Sequence, residues 1–102
     1  EVPVDAQVRD LRAGFDVLVA TPDRLAEHVR AENVRLSDVE VLVVDEVDEI
    51  LDAGFEKDVN TVLSALPASR QTLVFAASLT RKAESLARRV TRDPEWVEAS
   101  VA

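Results

Sequence analysis

The chain has 102 residues, 47% of them apolar and 31% charged, a composition that fits one folded domain and excludes the disordered class. No apolar run approaches the ~20 residues of a membrane span, and the start of the chain lacks the pattern of a secretory signal. Cysteine is absent, which excludes disulfides and thiolate metal sites and fits a cytoplasmic protein, while 12 Lys and Arg against 20 Asp and Glu give a formal charge of −8, whose overall field opposes strong nucleic-acid binding.

Asp5 is a plausible N-cap, Val8 and Leu11 have helical spacing, and Gly14 is placed to stop the first helix. Phe15 to Ala20, an apolar run bounded by turn signals, predicts a buried strand that Thr21-Pro22-Asp23 ends. A helix follows to about Arg30, with Leu25 and Val29 four apart and His28 on its exposed side. Val41 to Val44 is the clearest strand, β-branched and wholly apolar, and Asp45 closes it. A short helical turn over Val47 to Leu51 stops before Gly54. Glu56 to Leu66 then reads as an amphipathic helix with Val59, Val62, Leu63 and Leu66 on one face. Gln71 to Ala77 predicts a third strand. Leu79, Ala83, Leu86, Ala87 and Val90 stripe the last long helix, and the basic residues of its last turn, with Arg92 after them, suit the helix dipole. Asp93-Pro94 leads into a short final strand over residues 95–98, where Trp96 is expected to cover one end of the core.

No repeat or linker interrupts this alternation, so residues 1–102 are expected to form a single domain. Strands separated by helices pair in parallel with right-handed crossovers. The predicted fold is therefore α/β, a three-layer α/β/α sandwich on a parallel sheet of about four strands, closed up in sequence order.

Asp45-Glu46-Val47-Asp48 follows directly on the apolar strand. Ligands of open parallel sheets bind outside the carboxyl ends of the strands. Carboxylates there can reach a hydrated Mg²⁺ and position water for attack on a phosphoryl group; a solvated acidic loop at a strand end is the alternative for the tetrapeptide alone.

The wider stretch LVVDEVDEILDAGFEKDVNTVLSALPASRQTLVFAAS closely resembles the segment of DEAD-box RNA helicases that carries Asp-Glu-Ala-Asp, Leu-Asp-x-Gly-Phe, Leu-Pro-x-x-Arg-Gln-Thr-Leu and Phe-Ser-Ala-Thr. Upstream, Val19-Ala20-Thr21-Pro22-Asp23-Arg24-Leu25 resembles that family's Ala-Thr-Pro-Gly-Arg-Leu. The resemblance covers roughly residues 4–98 and implies half of a RecA-like domain of the P-loop NTPase fold. It implies that Asp45 holds Mg²⁺ through water and that Glu46 orients or activates the attacking water. By the same resemblance Asp48 couples the ATP site to Ala76, Ala77 and Ser78, and Thr21, Pro22 and Arg24 meet RNA, with Thr21 and Arg24 on its phosphates. ATP, Mg²⁺ and RNA belong to the family so identified.

The match is incomplete. No G-x-x-x-x-G-K-[ST] loop occurs, the only glycines being Gly14 and Gly54, so no backbone cradle for phosphates lies within these residues. Asp23 stands where the family has Gly, Val47 where it has Ala, Ala76 where it has Ser and Ser78 where it has Thr. Asp23 is expected to cap the helix beginning at Arg24, Ala76 removes the hydroxyl expected to bond Asp48, and Ser78 can cap the last helix. The expectation is a helicase fragment without ATPase or unwinding activity alone, binding no cofactor and RNA weakly or not at all. The absence of Met and three motif changes that favour folding over function also suit an excised or redesigned half-domain, an inactive scaffold. The alternative to a closed-up sheet is that a missing helicase half or a second copy of the chain fills the gap, since an unpaired edge is a template for association.

Overall fold

A computed structural model describes residues 4–97. Five helices and two strands follow one another: α1 (Val4–Ala13), α2 (Pro22–Arg30), β1 (Val41–Val44), α3 (Val47–Asp52), α4 (Glu56–Ser64), β2 (Gln71–Val74) and α5 (Arg81–Val90). β1 and β2 pair in parallel, Val41 opposite Gln71 and Val44 opposite Val74, with α3 and α4 as the crossover. The backbone contact runs on past the ladder, since the Phe75 N–H donates to Val44 O at 2.8 Å and the Val47 N–H to Phe75 O at 3.0 Å.

The fold is the expected α/β class with a parallel sheet, but among the described residues the sheet has two strands instead of about four. Phe15 to Ala20 is not a strand: Leu18 packs inward, while Val17 and Val19 are 80% and 90% exposed and no ladder partner lies beside them. β propensity supplies extended backbone, and a strand also needs a neighbour to take its hydrogen bonds. Glu95 to Val97 likewise form no strand, and position 98 lies outside the described residues, so the expected final strand does not join the sheet among those described.

The strands alternate between two environments. Val44 and Val74 face the larger cluster, built on Val47, Val59, Ala83, Leu86 and Val90. Val41, Val43 and Leu73 on the opposite face, together with Phe75 beyond β2, stay 40–53% exposed, so the second covering layer of the expected sandwich is not formed over them. A smaller cluster of Ala26, Leu36 and Val62 joins α2 to α4, and Leu18, Val29 and Leu66 pack around it.

Local sequence explains the helix ends. Gly14, at φ +99°, takes the left-handed conformation that stops α1. α2 begins two residues earlier than expected: Thr21 is the N-cap, Pro22 occupies the first helical position and Asp23 sits in the first turn, so Asp23 is not the cap. Thr80, not Ser78, caps α5, its hydroxyl accepting from the Ala83 N–H at 3.1 Å. His28 is buried at 3% exposure, against the expectation of a surface residue, because α1 lies over it. Its Nε2 lies 2.8 Å from Gln7 Oε1 and its Nδ1 3.3 Å from Asn33 Nδ2. Arg70 ties the end of the crossover to α5. Its guanidinium donates to Thr72 Oγ1, Pro67 O and Val90 O at 3.1, 2.9 and 3.2 Å.

Candidate functional site

The acidic tetrapeptide leaves the carboxyl end of β1 and turns immediately into α3. Asp45 is exposed, and its Oδ1 accepts from the Glu46 N–H at 2.9 Å. Glu46, the N-cap of α3, is left-handed at φ 54°, ψ 45°. For a residue with a Cβ that conformation costs roughly 1–2 kcal/mol, and it is what turns the chain sharply out of the strand. The exposed Glu46 carboxyl is held above the ordinary carboxylate range, first by a hydrogen bond with Glu49 and then by the charges of Glu49, Asp45 and Asp48.

After the turn, Val47 points inward. It is completely buried and is the largest fully buried side chain of the described residues. The valine that stands where the family has Ala is a core residue. Asp48, one position on, reaches across to the other strand's exit, where its Oδ2 accepts from the Ser78 N–H at 3.2 Å. Its Oδ1 is buried without a hydrogen-bond partner. With the Val47 N–H on Phe75 O, residues 45–48 and 75–78 form one connected rim at the carboxyl edge of the sheet. Ala76 and Ala77 lie exposed along it.

Thr21, Pro22 and Arg24 stand elsewhere, on the connection that opens α2, a helix packed against α4. The Arg24 guanidinium is 3.8 Å from Glu27. The Asp23 carboxyl is pulled below its ordinary value, chiefly by the Thr21 hydroxyl and then by the backbone N–H groups of Arg24 and Asp23 itself, which outweigh a small desolvation effect. The structure thus joins Asp45, Glu46 and Asp48 to Ser78 and keeps the 21–24 group on a separate connection.

No group of three or more His, Cys, Asp or Glu able to enclose a metal occurs among the described residues. An exposed Asp45 with a neighbouring carboxylate offers oxygen donors to a cation that keeps most of its waters, the habit of Mg²⁺. Sequence reading missed the left-handed Glu46 and the role of Arg70. Neither has a local signal, since both depend on which elements meet.

An α/β unit with acidic residues gathered at the carboxyl ends of parallel strands has the architecture of one part of a RecA-like domain. The sequence model of the family described as DEAD/DEAH box helicase matches residues 1–86, and the chain belongs to that family. It is 41% identical over 92 residues to DEAD-box ATP-dependent RNA helicase 30 of Arabidopsis thaliana, matching 90% of this chain and 16% of that protein. To the ATP-dependent RNA helicase DeaD of Haemophilus influenzae it is 38% identical over 97 residues, 95% of this chain and 16% of the relative. The crystal structure of a DEAD box protein from the hyperthermophile Methanococcus jannaschii superposes with a TM-score of 0.83 at 30% identity, over 90% of this chain and 25% of that one. The chain therefore spans about a sixth of the length of these two curated relatives.

Proposed function

We propose that these 102 residues supply the acidic rim of an ATP-dependent RNA helicase domain and do not hydrolyse ATP or unwind RNA alone. The observation that carries the reading is the Asp48–Ser78 hydrogen bond, because it connects the acidic turn after β1 to the segment after β2. In this reading Asp45 offers its carboxylate to a hydrated Mg²⁺, which when bound would neutralise phosphate charge. Glu46 holds a water at the sheet edge and, with its raised proton affinity, is suited to taking a proton from it. Asp48 transmits the position of this turn to residues 76–78. Thr21, Pro22 and Arg24 form a separate RNA contact, by hydroxyl, backbone and guanidinium respectively.

Phosphoryl transfer depends on positioning and charge stabilisation, and the sequence 1–102 contains no phosphate-cradling glycine-lysine loop. Carboxylates without that cradle give no useful rate. The test is a steady-state assay of the chain with Mg-ATP, together with NMR titrations of Mg²⁺, ATP and RNA. No turnover is expected, with only weak shifts near Asp45, Glu46 and Arg24. Saturable hydrolysis that Glu46→Gln abolishes would refute the inactive reading.

A second reading, association with another copy, is favoured by the half-exposed Val41, Val43, Leu73 and Phe75. Sedimentation equilibrium decides it: a single monomeric species at 100-fold varied concentration removes it.

A further inference from the structure

The acidic chain has one strongly basic surface. Residues 81–92 carry +4 (Arg81, Lys82, Arg88, Arg89 and Arg92 against Glu84), so the remainder carries −12 of the total −8. α5 buries Ala83, Leu86, Ala87 and Val90, which sends its cations to the opposite, solvent side. Arg81, Ser85 and Arg89 fall one turn apart along that side, about 12 Å from first to last. With Lys82, Leu86 and Glu56 from the start of α4 they line a shallow cleft.

Stability of the helix accounts for only part of this charge. Arg88 and Arg89 are in the last turn, where the dipole favours cations, and Arg88 also bonds Glu84 at 2.9 Å. Arg81 and Lys82 are in the first turn, where the same dipole disfavours them. Among the described residues Arg81, Lys82 and Arg89 have no carboxylate partner, the ion pairs being Arg24–Glu27, Arg30–Asp58 and Arg88–Glu84.

Trp96 adjoins this surface. It is 48% exposed, and the Arg88 guanidinium sits over its ring, 5.1 Å from the centroid. We propose that the outer side of α5 and Trp96 form a binding surface for a single-stranded polynucleotide, distinct from the 21–24 connection. Arg81, Lys82 and Arg89 meet its phosphates, and Trp96 with Arg88 offers a platform on which a base stacks. An acidic peptide would match the charge but has no base to place on the indole. The surface uses no residue of the acidic rim, so it stands or falls independently of the proposed ATP site.

Trp96 is the only tryptophan, so its fluorescence reports on this surface directly. The chain is titrated with a twelve-nucleotide oligouridylate at 50 mM salt and again at 200 mM. Saturable quenching is expected. If three phosphates are neutralised, log affinity falls against log salt with a slope of about −2, roughly a 16-fold loss between the two salts. The variant Arg81→Gln/Lys82→Gln/Arg89→Gln keeps its far-UV circular dichroism, binds at least ~10-fold more weakly at 50 mM and flattens the slope. The proposal is overturned if the oligonucleotide does not quench at 50 mM salt, if the folded triple variant binds equally well, or if a polyglutamate of matched charge quenches with the same affinity.

Discussion

Asp48 provides a quantitative test of how the rim is held together. Its Oδ2 is engaged by the Ser78 N–H, while Oδ1 is buried and unpartnered. A buried acceptor without a donor forfeits about 1–3 kcal/mol. Position 76 is exposed and lies two residues before the Ser78 N–H that bonds Asp48, on the segment that leaves β2. Ala76→Ser puts a hydroxyl there. A hydrogen bond to a charged acceptor contributes about 1.5–3 kcal/mol, partly offset by fixing the serine rotamer; desolvation adds little at an exposed position. The expected net gain is about 1 kcal/mol, or a rise in Tm of roughly 4 °C for a domain of this size. Guanidinium unfolding followed by Trp96 fluorescence and far-UV circular dichroism measures it. In an Asp48→Ala background the gain should vanish, because no carboxylate remains to accept. A gain of equal size in both backgrounds, or a loss with the denaturant slope unchanged, would show that the position 76 hydroxyl does not reach Asp48.

Val47→Ala should destabilise by about 2 kcal/mol in the same unfolding assay, two buried methyl groups plus incomplete collapse of the core around them. Arg70→Ala leaves Pro67 O, Val90 O and the Thr72 hydroxyl without their guanidinium donor and should cost about 2–3 kcal/mol; Arg70→Lys should recover little, since a single ammonium cannot span the three acceptors. Glu46→Gln should raise Tm at neutral pH. The Glu46 carboxyl has a raised folded-state pKa, so its favourable contribution is present below the unfolded value and is lost as pH rises through the raised one. The difference in Tm between variant and parent should therefore be absent at pH 3 and grow as pH rises through and above the carboxylate range. A difference independent of pH would point to some cause other than the carboxylate charges.

What could be read from the sequence was local chemistry, and what could not was adjacency. VLVV declares a strand because its β-branched run suits a pleated surface, and the helices of 56–64 and 81–90 declare themselves by their apolar stripes. FDVLVA carries the same kind of signal yet forms no strand, because nothing in six residues says whether a neighbour will supply the other half of the ladder. His28, between Glu27 and Arg30 in a polar-looking turn, is buried by a helix whose Gln7 lies 21 residues earlier. Trp96 was expected to cover the core and instead lies half-exposed beneath Arg88. The acidic tetrapeptide was legible as a candidate site because strand end and residue type coincide in sequence. Its internal division was not: the left-handed Glu46 sends Val47 into the core and brings Asp48 to Ser78.

That division bears on which residues serve folding and which do not. Val47 and Thr80 each satisfy a packing or capping requirement, and their stabilising role is complete within the fold. Glu46 and Asp48 do the opposite. One holds a left-handed conformation that glycine would adopt without strain and gathers three like charges around a fully exposed carboxyl; the other leaves a buried oxygen unpaired. The left-handed conformation alone costs roughly 1–2 kcal/mol, a sizeable share of the roughly 5–15 kcal/mol that holds a domain of this size folded. Local inconsistencies of this kind concentrate where a sequence answers to chemistry as well as to folding. Here they fall on one turn at the carboxyl edge of the sheet, which the Asp48–Ser78 and Val47–Phe75 hydrogen bonds tie to the segment after β2. Glycine at position 46 would relieve the left-handed strain, and a donor placed near Asp48 Oδ1 would satisfy that oxygen, so both positions leave stability that a substitution can recover.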